Sequence, residues 1–133
     1  MTKQSVIHVE EGKYVIHVRT LQEEKDEPSA MAGYLSESAI VTSQDGSLSL
    51  TLMLKDHQTI TGFQVENQEA IEKQINEEKN MRFEQFALER LLAYLPVRVQ
   101  YKVEYGGKEI KGDEALRLYF DEASLEDADK AVE

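Results

Sequence analysis

Apolar and polar side chains alternate along most of this chain, and the longest alternating segment covers residues 95–121. Apolar side chains occupy every second position in two stretches of it, first Val97, Val99, Tyr101, Val103 and Tyr105, then Leu116, Leu118 and Phe120. A period of two residues is typical of a strand that buries one face. Gly106 and Gly107 stand between the two stretches and allow a reversal, so the pattern predicts a β-hairpin.

The same alternation predicts shorter strands earlier in the chain. They cover residues 6–9, 15–18, 38–42, 47–54, 59–66 and part of 82–91, and Asp45 and Gly46 supply a tight turn after the third. Residues 68–80 have residue types that favour a helix, but strands flank them, and we interpret this segment as β structure. Residues 29–35 follow a proline and predict one helical turn, with Ser29 as the N-cap candidate and Met31 and Tyr34 on one face.

The number and spacing of these segments indicate the fold class. About seven or eight short strands, separated by Gly, Asp and Asn turns and interrupted by no long helix, are typical of an all-β protein. We therefore predict an immunoglobulin-like antiparallel β-sandwich with one short helix.

Composition narrows the classes of partner. The 133 residues include 26 acidic and 15 basic side chains, a formal net charge of -11, and no cysteine. Because negative charge repels phosphate groups, nucleic acid and anionic lipid surfaces are disfavoured as partners. No apolar run reaches the length of a membrane span, and the first residues lack the features of a signal peptide. These features favour a cytoplasmic protein or an excised domain.

The sequence contains no combination of residue types that is typical of catalysis. It has no Ser/His/Asp set, no Gly-rich phosphate loop and no carboxylate pair at a defined spacing, so we predict that the protein is not an enzyme. His8 and His17 occupy the same place in a repeated tetrapeptide, VIHV. Two nitrogen ligands without a third make a weak metal site, and we interpret both as ordinary strand histidines.

Several short segments follow one another in a familiar order. They are GKY at residues 12–14, SAMAGY at 29–34, NMRFEQF at 80–86 and RLYFD at 117–121. In order and spacing they resemble a NEAT domain, the near-iron-transporter module of Gram-positive cell surfaces. The resemblance implies a domain at residues 12–121, with an N-terminal extension at 1–11 and an acidic tail or linker at 122–133. It also implies a cell-surface or secreted location.

The resemblance further implies a heme site at the open end of the sandwich, between the short helix and the last hairpin. In the family, a tyrosine phenolate on the final strand ligates ferric iron, and a second tyrosine four residues later hydrogen-bonds to that phenolate. Ser29 and Met31 resemble the residues that cap the heme, and Tyr34 belongs to the same segment. Helix capping by Ser29 and core packing by Met31 are the alternative roles.

This chain departs from the family at the ligand positions. Ile110 and Glu114 stand where the two tyrosines are expected, and isoleucine cannot ligate iron. Tyr101 and Tyr105 have the same four-residue spacing but precede the turn, on the penultimate strand. Either both tyrosines pack beside the valines of that strand, or Tyr105, which is nearer the turn, serves as the axial metal ligand in place of the missing tyrosine.

Two functions therefore compete. The first, which we favour, is binding or relay of heme in bacterial iron acquisition with a non-standard or weakened iron ligand set, alongside other surface heme-relay proteins. The second is a protein-interaction module that binds a hemoprotein or a receptor but not heme, because Ile110 would let the pocket close. A structural spacer within a larger surface protein is a third reading, since one fold serves many functions.

Overall fold

Strands account for most of the chain in the computed structural model, which describes residues 6–128. They are β1 Val6–Ile7, β2 Gly12–Gln22, β3 Ser38–Gln44, β4 Ser47–Lys55, β5 Ile60–Val65, β6 Glu72–Asn76, β7 Met81–Leu88, β8 Leu91–Leu92, β9 Tyr94–Tyr105 and β10 Lys108–Asp127. A single 3-10 turn, Ala32–Tyr34, precedes β3. Within these residues no helix has the length and apolar character to cross a membrane. The predicted all-β fold with one short helical element is confirmed.

The strand pairing is antiparallel throughout. One sheet has the strand order β5-β9-β10-β2-β3-β4-β7-β6, and β1 pairs separately with β8. Strand β2 joins the two halves of the large sheet, because residues 12–17 pair with β3 and residues 17–22 pair with the main part of β10. Phe63 on β5 and Phe86 on β7 stand near opposite ends of the strand order, yet their ring centroids lie 5.8 Å apart. The two halves therefore face each other as the predicted sandwich.

One face of each long strand supplies the core between the layers. Its largest fully buried apolar side chains are Ile16, Leu50, Leu52, Leu54, Ile60, Phe63, Phe86, Leu91, Leu95, Leu118 and Phe120. These residues recur at alternate positions, so removal of apolar surface from water fixes which face of each strand turns inward.

Strands β9 and β10 form the predicted hairpin. Their register runs without a shift from Tyr105 opposite Lys108 to Tyr94 opposite Tyr119. Gly106 and Gly107 make the turn with φ of 60° and 79°, values that favour glycine at both positions. On one side β2 pairs with β10 only as far as residue 116, and on the other side β5 reaches only residue 101 of β9. The closed end of the hairpin therefore projects beyond the neighbouring strands.

The structure differs from the sequence expectation at the C-terminal end. We expected a tail or linker from residue 122, but β10 continues to Asp127, with Glu126 opposite Val15 and a register shift after Asp121. Ser124 stabilises this bulge, since its Oγ accepts a hydrogen bond of 2.8 Å from the backbone N–H of His17. Alternation does not reveal such a continuation, because a bulge interrupts the two-residue period. Residues 129–133 of the expected tail lie outside the described residues.

The structure also assigns residues 68–80 and residues 6–9. The prediction of β structure within residues 68–80 is confirmed, because β6 pairs with β7 from Glu72 opposite Gln85 to Asn76 opposite Met81. Sheet pairing thus overrides the local helix propensity. The expected strand at residues 6–9 is shortened to Val6–Ile7, which pairs with β8 and not with β2.

Candidate functional site

The closed end of the hairpin brings together four of the residues selected from the sequence. Tyr101 lies opposite Gly112, and Glu114 lies opposite Val99. Directly opposed residues of an antiparallel pair share a face, so Tyr101, Tyr105, Ile110 and Glu114 all lie on the face that continues the core.

Solvent exposure increases along this inner face towards the turn. Val99 is fully buried, Tyr101 is half-buried against the core, and Tyr105 is 78% exposed. Ile110 is 45% exposed and lies opposite the half-buried Val103. The hairpin therefore presents apolar and aromatic side chains beyond the edge of the core, as a flat surface that the second layer does not cover.

The Tyr101 ring lies close to its cross-strand partner Gly112 on this face. A methyl group added at Gly112 would overlap the Cζ, Cε1 and Cε2 atoms of the Tyr101 ring. The outer half of the ring therefore lies directly over the glycine, which the missing side chain permits. Gly112 was not among the residues selected from the sequence, although a glycine inside a strand is itself a signal of close approach by another group.

Polar contacts hold the hairpin together on its opposite face. Asp113 accepts hydrogen bonds of 2.8 Å from Arg98 and 3.0 Å from Gln100. The hydrogen bond from Gln100, followed by that from Arg98, holds the pKa of Asp113 below its ordinary value. Lys102 pairs with Glu109 at 3.4 Å. These contacts hold the two strands together, and none of them involves a side chain of the inner face.

The segment around the 3-10 turn forms the opposite wall. Ser29 is buried, and its Oγ accepts a hydrogen bond of 3.0 Å from the backbone N–H of Met31. A hydroxyl can accept and donate at once, so this bond leaves the hydroxyl proton for a second partner. Met31 is buried in the core, and Tyr34 packs against the core from a partly exposed position. The 3-10 turn has Met31 as its N-cap and no side-chain cap, so the predicted N-cap role of Ser29 is wrong, because the turn begins two residues later than expected. Met31 has the core-packing role considered from the sequence.

A cavity of about 380 Å³ separates this segment from strand β10. Ser29 and Ala30 line it on one side and Glu114 on the other, together with Gln22, Glu23, Ala115 and Leu116. Its volume falls within the range of ligand pockets in proteins. A larger cavity of about 460 Å³ runs along β2 from His17 to Leu21, and its lining includes no residue of the hairpin.

His8 and His17, the two histidines considered as metal ligands, do not line the cavity at Ser29 and Glu114. His17 lies opposite Ser38 on β3 and Asp121 on β10, and its side chain is exposed, as is that of His8. Among residues 6–128, no cluster of three or more His, Asp or Glu side chains has a geometry suited to a metal ion. The side-chain oxygen atoms that line the cavity belong to Ser29, Glu114, Gln22 and Glu23.

Comparison with known proteins gives a consistent result. The model of the NEAT family, described as the Iron Transport-associated domain, matches residues 8–122. Among solved structures, the NEAT5 domain of IsdX2, a Bacillus anthracis hemophore, in complex with heme, is 26% identical with a TM-score of 0.73; the match covers 84% of this chain and 97% of that one.

A glutamine-to-threonine variant of that IsdX2 domain, also in complex with heme, is 25% identical with the same TM-score of 0.73. That match covers 85% of this chain and 97% of the other. No curated protein sequence matches the chain. Because the family model spans most of the chain and the folds agree, this chain belongs to the NEAT family of Iron Transport-associated domains.

Proposed function

We propose that this chain binds heme in the cleft between residues 29–34 and the β9–β10 hairpin, and holds or relays it with an iron ligand set that differs from the family's. The observation that carries this proposal is the apolar inner face of the hairpin beside the cavity at Ser29 and Glu114, in a domain of the NEAT family. Its relatives bind heme in solved structures. A porphyrin offers two broad apolar faces, which suit such a flat apolar surface.

The residues present fit this group on two counts. Val103, Ile110 and the Tyr101 ring supply apolar surface for a porphyrin face, and all three lie on the inner face of the hairpin. The phenols of Tyr101 and Tyr105 supply hard oxygen donors, which suit ferric iron. Ile110 removes the donor that the family carries on β10, so the proposed ligand comes from β9. The bound heme would supply the iron, and the chain would supply orientation and exclusion of water.

The opposite wall has a matching role in the proposal. Ser29, with its hydroxyl proton free of the bond to Met31, donates a hydrogen bond to a heme carboxylate at the rim of the cleft. Met31 and Tyr34 support that wall from the core side. Glu114 lines the cavity and limits how deeply an anionic group enters, so the carboxylates of the heme lie towards Ser29.

A titration with ferric heme tests the proposal. We expect a saturable change in the Soret band with about one heme per chain, and a charge-transfer band typical of a tyrosinate ligand. Tyr105→Phe and Tyr101→Phe identify the phenol, and Tyr119→Phe is a matched control, because Tyr119 packs against Tyr94 on the other face of the same hairpin, with ring centroids 5.0 Å apart. A titration without saturation would contradict heme binding.

We propose the accompanying context from the family. The chain acts as a binding module and not as an enzyme, at the surface of a Gram-positive bacterium or secreted from it, and exchanges heme with other surface proteins. Proteinase treatment of intact cells, followed by detection of this chain, tests the location, since a surface protein is degraded while a cytoplasmic protein is spared.

A second candidate function rests on the exposed end of the hairpin. Tyr105 and Ile110 are 78% and 45% exposed, and exposed aromatic and aliphatic side chains together are typical of protein interaction sites. The partner would be a hemoprotein or a receptor. Saturable binding of hemoglobin that persists in Tyr101→Phe and is lost in Tyr105→Ser would favour this function over heme capture.

A further inference from the structure

We propose that Tyr101, placed over Gly112, is the residue that ligates heme iron, so that the missing phenol of β10 is replaced from the neighbouring strand. This inference rests on the proposed heme function and identifies its central residue. It differs from the sequence-based choice of Tyr105.

The hairpin register places Tyr101 between Ile110 and Glu114, the two positions where the resemblance implies tyrosines. Gly112 lies midway between Ile110 and Glu114 on β10, and Tyr101 is its direct partner on β9. Tyr101 is therefore a diagonal neighbour of both Ile110 and Glu114 on the inner face. Diagonal neighbours remain within reach of aromatic and long side chains, at about 7–8 Å between backbone positions.

The Tyr101 ring carries its oxygen atom from β9 across to β10. The ring atoms that overlap a methyl group built on Gly112 are Cζ and the two Cε atoms, which form the outer half of the ring. The phenol oxygen is bonded to Cζ, so it lies at strand β10 and not at its own strand. Residues 108–115 of β10 have no pairing with β2, so the phenol lies on the open side of the hairpin.

Tyr105 is less well placed for the same role. Its side chain is 78% exposed and lies opposite Lys108, directly beside the turn. An anionic ligand gains most when water is excluded around it, because the lower local dielectric strengthens its bond to the cation. Tyr101 is half-buried and packs against the core, so a porphyrin over Val103 and Ile110 would cover it from water.

Ligation of iron by Tyr101 requires the loss of one proton and no transfer of electrons. The phenol O–H bond would break as the iron–oxygen bond formed, and the proton would leave to solvent, to which this end of the hairpin is open. The iron stays ferric throughout, so no oxidant or reductant is required.

Parallel titrations with ferric heme and with metal-free protoporphyrin IX separate ligation from cleft binding. For Tyr101→Phe we expect loss of the tyrosinate charge-transfer band and roughly tenfold or more weaker ferric heme binding, with protoporphyrin affinity changed by less than about twofold. Gly112→Ala tests the same geometry without touching the phenol, because the added methyl group displaces the ring, and we expect the band to weaken there too. Tyr119→Phe is the control that keeps the band, because Tyr119 lies on the other face of the hairpin.

The outcomes distinguish this inference from the proposed function. Binding of protoporphyrin and of ferric heme by the unmodified chain, with the tyrosinate band intact in Tyr101→Phe or lost in Tyr105→Phe, would overturn the role of Tyr101 but leave heme binding standing. Failure of the unmodified chain to bind either molecule would overturn both. Far-ultraviolet circular dichroism and a thermal melt of each variant show that a lost band comes from ligation and not from unfolding.

Discussion

The guanidinium Nε of Arg82 donates a hydrogen bond of 2.6 Å to Oε2 of Glu84, and both side chains are buried between the layers of the sandwich. Arg82 also donates to the backbone carbonyl of Ile60 at 3.0 Å, and its Nη1 lies 3.3 Å from Nδ1 of His57. The other carboxylate oxygen of Glu84 is buried without a hydrogen-bond partner among the described residues. This pair is therefore held by one strong bond and is incompletely satisfied on the carboxylate side.

Removing one member of this pair is expected to be costly. Arg82→Met leaves the Glu84 carboxylate buried without its counter-ion, and we expect the free energy of unfolding to fall by about 3–5 kcal/mol. The double variant Arg82→Met with Glu84→Leu removes both charges, and we expect it to recover most of that loss. Urea unfolding followed by circular dichroism measures both. A double variant no more stable than Arg82→Met would show that the charge pair does not account for the loss.

Glu84 also predicts a dependence of stability on pH. Burial raises the pKa of Glu84 above its ordinary value of 4.5, against the opposing effect of the Arg82 charge. As pH rises above 4.5, the carboxyl group of Glu84 loses its proton in the unfolded chain before it does so in the folded chain. The folded state then binds more protons than the unfolded state, so the contribution of Glu84 to the free energy of unfolding declines until pH passes the folded pKa.

Glu84→Gln isolates this contribution. All other titrating groups are common to both proteins, so the difference in unfolding free energy, unmodified chain minus Glu84→Gln, should decrease as pH rises from about 4.5 towards neutrality. Urea titrations at intervals between about pH 4 and pH 8 measure it. A difference that stays constant or grows with pH would refute the raised pKa.

The turn of the hairpin yields a prediction about glycine. Gly107 has φ of 79°, and no atom lies within 4 Å of a methyl group built on it, so Gly107→Ala costs only backbone strain. We expect a loss of about 1–2 kcal/mol in unfolding free energy. Gly33 is the matched control, because its added methyl group also meets no atom within 4 Å and its φ is not positive. Equal thermal midpoints for Gly107→Ala and Gly33→Ala would contradict the left-handed turn.

The sandwich and the hairpin could be predicted from the sequence because apolar residues that become buried, and the residues that form turns, occur at regular spacing. The sequence failed to predict the interior of β7. Arg82, Glu84 and Phe86 are buried on this strand and Phe83 is only partly so, and the sequence pattern did not show which of them face inward. Two side chains of opposite charge can occupy core positions when they form an ion pair. The hydrophobic pattern treats each residue separately, so it does not predict such a buried pair.

The site shows the same limit. Positions 101, 105, 110 and 114 could be placed on one face from period and turn length alone. The contact of the Tyr101 ring with Gly112 depends on the exact register across the turn, and a shift of one residue would move it to the other face. For that reason the sequence favoured Tyr105, the tyrosine nearer the turn, whereas the structure supports the proposal for Tyr101.

A tyrosine at residue 110, where the resemblance to the family implies an iron ligand, gives a final prediction. Ile110 is 45% exposed on the inner face, so Ile110→Tyr places a phenol there with little effect on the core. In the background of Tyr101→Phe, we expect Ile110→Tyr to restore the tyrosinate band and to strengthen ferric heme binding by roughly tenfold or more relative to Tyr101→Phe alone. Ile110→Phe in the same background is the matched control, since it adds the ring without the oxygen. If Ile110→Tyr and Ile110→Phe give the same spectrum and affinity, the inner face at residue 110 does not lie against the iron, and the proposed placement of heme over this hairpin is wrong.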